Sequence, residues 1–173
     1  MKRIVALFIA LGLVCGMTLG FASASQAKTI IKIAGMKPEG EPETIGMKLF
    51  AKYVMEGTKG KYDVRVFPNS QLGKEDAYIA PTRKGIIQMC ATGTQTSSLH
   101  PAMAMLETPM LYDSLEHAHR AMNGETFKLI NKGFAEKSGL TTMNAFPLGF
   151  RHFYTKKPVN SINDLKGLRM RVP

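Results

Sequence analysis

Between Thr29 and Thr92 the chain switches repeatedly between two periods, and this alternation constrains the fold more than any other feature. "TIIKIAG" (29–35) is β-branched and stops at Gly35, which predicts a strand followed by the loop "MKPEGEP". From Glu43 to Met55 the apolar residues Ile45, Leu49, Phe50 and Val54 recur three and four apart, the spacing of an amphipathic helix closed by Gly57 and Gly60. "YDVRVFP" (62–68) alternates Tyr62, Val64 and Val66 before Pro68, a second strand, and "NSQLG" is a turn. "KEDAYIAPTRKG" predicts a short helix despite Pro81. "IIQMCAT" (86–92) is too apolar to keep one face in water, so a third strand, central and covered on both sides, is expected. Strands that return through helical crossovers lie parallel. The expected fold class is therefore α/β, a sheet wrapped by helices.

Beyond Thr92 the pattern loosens. A polar loop, "GTQTSS", leads into "HPAMAMLETPMLYD", which is Met-rich and punctuated by Pro101 and Pro109. "SLEHAHRAMNGETFKLINKGFAEKSG" is helical, with Ser114 as its cap and a break near Asn123-Gly124. "LTTMNAFPLG" and "FRHFYTKK" suggest strands, "SINDLKG" a single helical turn, and "LRMRVP" the start of another strand. More strands are begun than one closed domain needs, so the natural chain is expected to continue into a second lobe.

The first residues carry a different message. Lys2 and Arg3 precede an apolar run broken by Gly12, Gly16 and Gly20, and Ala27 ends a small-residue cleavage site, with Ala24 as a second possible point. A membrane anchor is the competing reading, but the glycines and the cleavage site favour a secretory signal peptide over residues 1–27. Val14 is too bulky for lipidation at Cys15. Cleavage removes two cations and no acid, lowering the net charge from +10 to +8. One cysteine, Cys90, remains after cleavage; it has no partner for a disulfide and is expected in the core. The basic residues are scattered, without the aromatic interleaving of a nucleic-acid surface.

No constellation for catalysis stands out. The chain lacks G-x-S-x-G, a P-loop and G-x-G-x-x-G. His117 and His119 lie two apart on a helix, facing different ways, and cannot share a metal as an i, i+4 pair would. His100 and His152 are expected to be packed or surface residues. Polar loops instead fall after each of the first three strands, where open parallel α/β sheets bind ligands. They offer Lys37, Thr92, Thr94, Thr96, the Gln95 amide, and glycines that let backbone N–H groups face a small anion.

"TKGKYDVRVFPNSQLGKED", "KGIIQMCAT", "TPMLYDSLEHAHRAMNG" and "GFRHFYTKKPVNSINDLKGLRMRVP", in this order over residues 29–173, resemble the solute-binding subunit of a TRAP transporter, the DctP-like family. "VFPNSQLG" is similar to the family's segment after its second strand, and "SINDLKGLRMRVP" to its entry into the second lobe. The resemblance implies a periplasmic, non-enzymatic protein with a periplasmic-binding-protein-like, two-lobed (type II-like) fold and no cofactor or metal. It implies a first lobe over 28–150, and a crossover and the start of a second lobe over 151–173. Such proteins close on a small organic acid and pass it to an ion-gradient-driven TRAP membrane permease. An ABC-type or sensory-receptor solute binder, or a truncated fragment that binds nothing, is the alternative.

The resemblance also supplies site residues. Arg171 matches the arginine that pairs with the substrate carboxylate, and Arg151 matches a second, assisting one. A guanidinium offers two parallel donors to two carboxylate oxygens, a geometry lysine lacks. Alternation alone puts Arg169 and Arg171 on the same side of a strand; Arg169 is taken as surface. Lys37, Thr92, Thr94 and Thr96 lie where further substrate contacts fall. Neutral residues in the loop after the third strand argue against a substrate that needs an acidic group to hold an amine or polyol, leaving simple carboxylates, keto acids and aromatic acids.

Overall fold

The computed structural model describes residues 28–93 and 95–171. The expected signal peptide and its cleavage points lie outside the described residues, as do Thr94, Val172 and Pro173. The chain divides into two compact units at Gln95–Thr96.

The first unit is the expected parallel α/β arrangement. Strand β1 (Thr29–Ala34) leads through helix α1 (Pro42–Gly57) to β2 (Tyr62–Phe67), and α2 (Glu75–Arg83) leads to β3 (Met89–Cys90). Both neighbours pair with β1 in parallel, giving the order β2-β1-β3. Among the described residues β1, not β3, is the central strand, and the expected long third strand shrinks to two residues. The reason is local. The amides of Ile86 and Ile87 both reach back to the Pro81 carbonyl (3.0 and 3.4 Å), so these residues turn the chain out of α2, and Ile86 stays 58% exposed. The Gln88 side chain then takes a ladder position, accepting from the Lys32 amide at 2.9 Å.

Ile33, Ala51 and Val64 form the buried centre of this unit, with Met47, Phe50, Val54 and Met55 of α1 packed around them. Two of the four residues expected on the inward face, Phe50 and Val54, do pack there, and the other two do not. Ile45 and Leu49 are about half exposed (47% and 46%), while Met47, Ala51 and Met55 supply the four-residue rhythm of the buried face. Ala51 is small enough to let the helix axis approach the sheet. Cys90, expected in the core, is half-buried.

In the second unit α3 (Thr96–Leu99) precedes a 3₁₀ helix (Pro101–Glu107), and the long helical segment splits as expected into α4 (Leu115–Met122) and α5 (Glu125–Ser138). Ser114 caps α4 by accepting from the His117 amide. Met103, Ile130 and Phe134 form the buried centre. His100 packs where Gly133 leaves room: a Cβ there would lie 3.0 Å from the His100 Nε2.

The strands expected in 140–157 are not formed among the described residues. A strand needs a neighbour for its backbone groups, and here the Asn131 side chain substitutes, donating to the Thr142 carbonyl at 2.8 Å and accepting from its amide at 2.9 Å. The single turn in "SINDLKG" does form, as a 3₁₀ helix (Ile162–Leu165). Its Ser161 and Asp164 make a reciprocal capping box, and the exposed Asp164 carboxyl is held below the usual aspartate range by the Asn160 amide first and then by the amide and hydroxyl of Ser161. The strand expected from Leu168 is absent as far as Arg171. No helix of the described residues is long and apolar enough to cross a membrane.

Candidate functional site

The three parallel strands all end on one edge of the sheet, and each exit loop is tied to a neighbour. After β2, "NSQLG" carries two consecutive left-handed residues, Asn69 (φ 51°) and Ser70 (φ 57°). Asparagine tolerates that region; serine does so at a cost. Hydrogen bonds repay it: the Asn69 amide donates to the Lys37 carbonyl (2.9 Å) and the Ser70 amide to the Gly35 carbonyl (3.0 Å). The Thr44 hydroxyl of α1 donates to the same Lys37 carbonyl at 2.9 Å. The loops after β1 and β2 are thereby joined.

The loop after β3 is held from α2. Glu75, in the first helical turn, is buried, and its Oε1 accepts from the Thr92 hydroxyl, the Gly93 amide (2.5 Å) and the Gln95 amide (3.4 Å). One turn on, the fully buried Tyr78 donates its hydroxyl to the Ala91 carbonyl at 2.6 Å. Burial pushes the Tyr78 phenol far up, with the Glu75 charge adding to it, so Tyr78 is a fixed donor. Burial also pushes the Cys90 thiol up, against a hydrogen bond with Thr82, which leaves it a poor nucleophile.

A second carboxyl occupies the same edge. Glu43 enters from the first turn of α1, and its Oε1 is sealed from solvent with no hydrogen-bond partner. Gly35 makes the space, since a Cβ there would lie 2.5 Å from the Met47 Cε and 3.1 Å from that oxygen. Burial holds the Glu43 carboxyl above the ordinary glutamate range, and the Glu75 charge adds; the amide and ammonium of Lys37 and the Met36 amide oppose. Acidic groups thus do line this edge. They arrive from the first turns of α1 and α2, while the 92–96 loop is itself neutral in composition.

The expected site residues fall in different settings. Lys37 is half-buried beside Glu43, and Thr92 is exposed with its proton committed to Glu75. Thr96 is buried and opens α3 in the second unit, where its carbonyl accepts from the His100 amide. Arg151, Arg169 and Arg171 are exposed, and none makes an ion pair or side-chain hydrogen bond among the described residues. Sequence reasoning overlooked Glu43 and Glu75. The available signal was an acid in the first turn of each helix that follows a strand-exit loop. An open depression of about 500 Å³ in the second unit, lined by Leu115, Glu116, His119, Arg120, Phe146 and Pro147, contains none of the expected residues.

Residues 33–173 match the family model of bacterial extracellular solute-binding protein, family 7 (DctP). A TRAP periplasmic solute-binding protein of Desulfovibrio desulfuricans, crystallised with sn-glycerol-3-phosphate, is 78% identical with a TM-score of 0.79, over 84% of this chain and 47% of that one. One from Haemophilus influenzae with bound L-gulonate is 30% identical with a TM-score of 0.74, over 82% of this chain and 46% of that one. The 2,3-diketo-L-gulonate-binding periplasmic protein of Escherichia coli is 32% identical over 87% of this chain and 46% of its own length. The chain therefore spans about half the length of these relatives. With the parallel sheet, the stitched exit loops and a family match running from Ile33 to Pro173, the chain belongs to the DctP family of bacterial extracellular solute-binding proteins.

Proposed function

We propose that this chain is the first lobe, with the entrance to the second, of a periplasmic protein that captures a small hydroxylated organic anion and delivers it to a TRAP-type, ion-gradient-driven permease. The observation that carries the reading is the 78% identity to a relative crystallised with sn-glycerol-3-phosphate. A three-carbon phosphomonoester with two hydroxyls is accordingly the first candidate. The relatives associated with L-gulonate and 2,3-diketo-L-gulonate favour a sugar-acid carboxylate as the second. Both candidates join one anionic end to a chain of hydroxyls.

Arg171, assisted by Arg151, binds the anionic end. A planar guanidinium suits phosphate and carboxylate alike, and closure of the two lobes strengthens the pair by excluding water. Lys37 and the loop from Thr92 to Thr96 contact the remainder. The protein performs no chemistry on its ligand and needs no cofactor. Residues 1–27 direct export and are removed, the first lobe runs over 28–150, and 151–173 cross into the second.

The test is thermal unfolding and calorimetric titration of the protein produced from its full reading frame, with sn-glycerol 3-phosphate, L-gulonate, succinate and orthophosphate. A ligand at a hundredfold excess over Kd stabilises by about 2.7 kcal/mol. Stabilisation by either hydroxylated anion is expected. A response to none of the four sinks the reading.

A further inference from the structure

Thr92 and Glu75 are in contact across the sheet edge that carries the strand-exit loops, and the direction of their hydrogen bond fixes what Thr92 can offer a ligand. Glu75 Oε1 accepts two backbone N–H groups, from Gly93 and Gln95, so that oxygen carries no proton. The bond to Thr92 is then donated by the threonine hydroxyl. A hydroxyl has one proton and two lone-pair directions. With the proton spent on a buried carboxylate, the exposed Thr92 presents only acceptor capacity outward.

We infer that Thr92, oriented by Glu75, selects for ligand hydroxyl groups: it accepts a hydrogen bond from a hydroxyl of the bound anion and turns the anionic end away. This rests on the proposed function and deepens it, because it names the substrate class as hydroxylated and assigns Glu75 as the positioning residue. A phosphate or carboxylate oxygen facing Thr92 meets a lone pair backed by a carboxylate and has no proton to share. A ligand O–H meets an acceptor whose own donated bond to a charged group strengthens the next bond in the chain. The arrangement explains how a loop of neutral residues can discriminate for polyols, with the acid supplied from the first turn of α2 behind it.

The experiment compares matched ligands that differ only in their hydroxyls: sn-glycerol 3-phosphate against n-propyl phosphate, and D-glycerate against propionate. Affinities are measured by calorimetry on the full-length protein and on its Thr92→Val, Thr92→Ser and Glu75→Gln variants. In the wild type the hydroxylated member of the pair that binds is expected to be the tighter. Thr92→Val is expected to weaken the hydroxylated ligand by about 3- to 30-fold while leaving the deoxy analogue unchanged, and Thr92→Ser to restore the ratio. Glu75→Gln, which frees the threonine proton, is expected to shift the ratio in the same direction as Thr92→Val. Equal losses for both members of a pair, or an unchanged ratio in Thr92→Val, overturn the inference and leave the proposed function standing. Failure of every ligand to bind the wild type overturns the proposed function, and this inference with it.

Discussion

The buried carboxylate of Glu75 holds the exposed Thr92 by accepting its hydroxyl proton, a contact that joins the first turn of α2 to the exit of β3, 17 residues along the chain. The same oxygen collects the amides of Gly93 and Gln95, so one side chain sets the course of the whole loop. Bonds to a charged acceptor in a buried position are worth more than the average hydrogen bond. Glu75→Ala is expected to cost about 2–3 kcal/mol in urea denaturation. The amides of Gly93 and Gln95 should also exchange with solvent faster than in the wild type. Unchanged exchange at both would show that the loop keeps its course without Glu75.

Gly73 is the position where the "NSQLG" turn has no alternative to glycine. Its φ is +99°, and a Cβ would lie 2.7 Å from the Cβ of Ala77, a stiff atom on a helix and not the end of a flexible chain. Gly40 has a comparable φ of +86° but nothing within 4 Å. Gly40→Ala should therefore cost only backbone strain, about 1–2 kcal/mol. Gly73→Ala adds the clash and should exceed it by about 1 kcal/mol or more, since overpacking of fixed atoms costs about 1–3 kcal/mol. Chemical denaturation of the two variants side by side decides the order; equal costs would show that Ala77 moves freely.

Glu43 makes stability depend on pH in a direction opposite to that of an ion-paired acid. Burial raises its folded-state pKa above the ordinary value near 4.5, so protonation favours the fold. The stability it contributes is fully present below that ordinary value and is lost as pH rises through the folded-state value. Glu43→Gln keeps the shape without the charge. The variant is expected to be more stable than the wild type at about pH 7, and to lose that advantage as pH falls through the raised folded-state value, so that none remains below about 4.5. Melting temperatures of both proteins across this range provide the check. A difference that does not vary with pH would show that Glu43 is solvated in the folded state.

What was legible in the sequence was mostly local. β1, α1, β2 and α2 announce themselves by period, and Ser114, Asn123-Gly124 and Ser161 with Asp164 mark helix ends through short-range hydrogen bonds that a linear reading can find. What escaped depends on partners far along the chain. The inward stripe of α1 is chosen by where Ile33 and Val64 sit, so Met47 and Met55 displaced Ile45 and Leu49 from the expected face. "IIQMCAT" has strand composition, but its first residues are taken by the turn that leaves Pro81. Segments 140–157 have strand composition and no strand beside them among the described residues; Thr142 finds its hydrogen bonds on the side chain of Asn131 instead. The candidate site followed the same rule. Thr92 was visible as a hydroxyl in a loop, but whether it donates or accepts was decided by Glu75, on a different element.

Arg171 and Arg151 are exposed and make no ion pair among the described residues, so truncating either removes no folding contact. Arg171→Ala, Arg151→Ala and the control Arg169→Ala should each leave the unfolding midpoint almost unchanged, within about 0.5 kcal/mol. Their effects on binding should differ sharply. Loss of the charged partner of a desolvated anion costs about 2–5 kcal/mol, on the order of thirtyfold to several thousandfold in affinity. Arg171→Ala in the full-length protein is expected to fall in that range for whichever anion binds, Arg151→Ala to lose less, and Arg169→Ala to keep wild-type affinity. The loss should be shared by a hydroxylated ligand and its deoxy analogue, because the guanidinium contacts their common anionic end. Calorimetric titration of the three variants separates the assignments. Full-strength binding by Arg171→Ala together with a large loss in Arg169→Ala would move the anion to the other arginine.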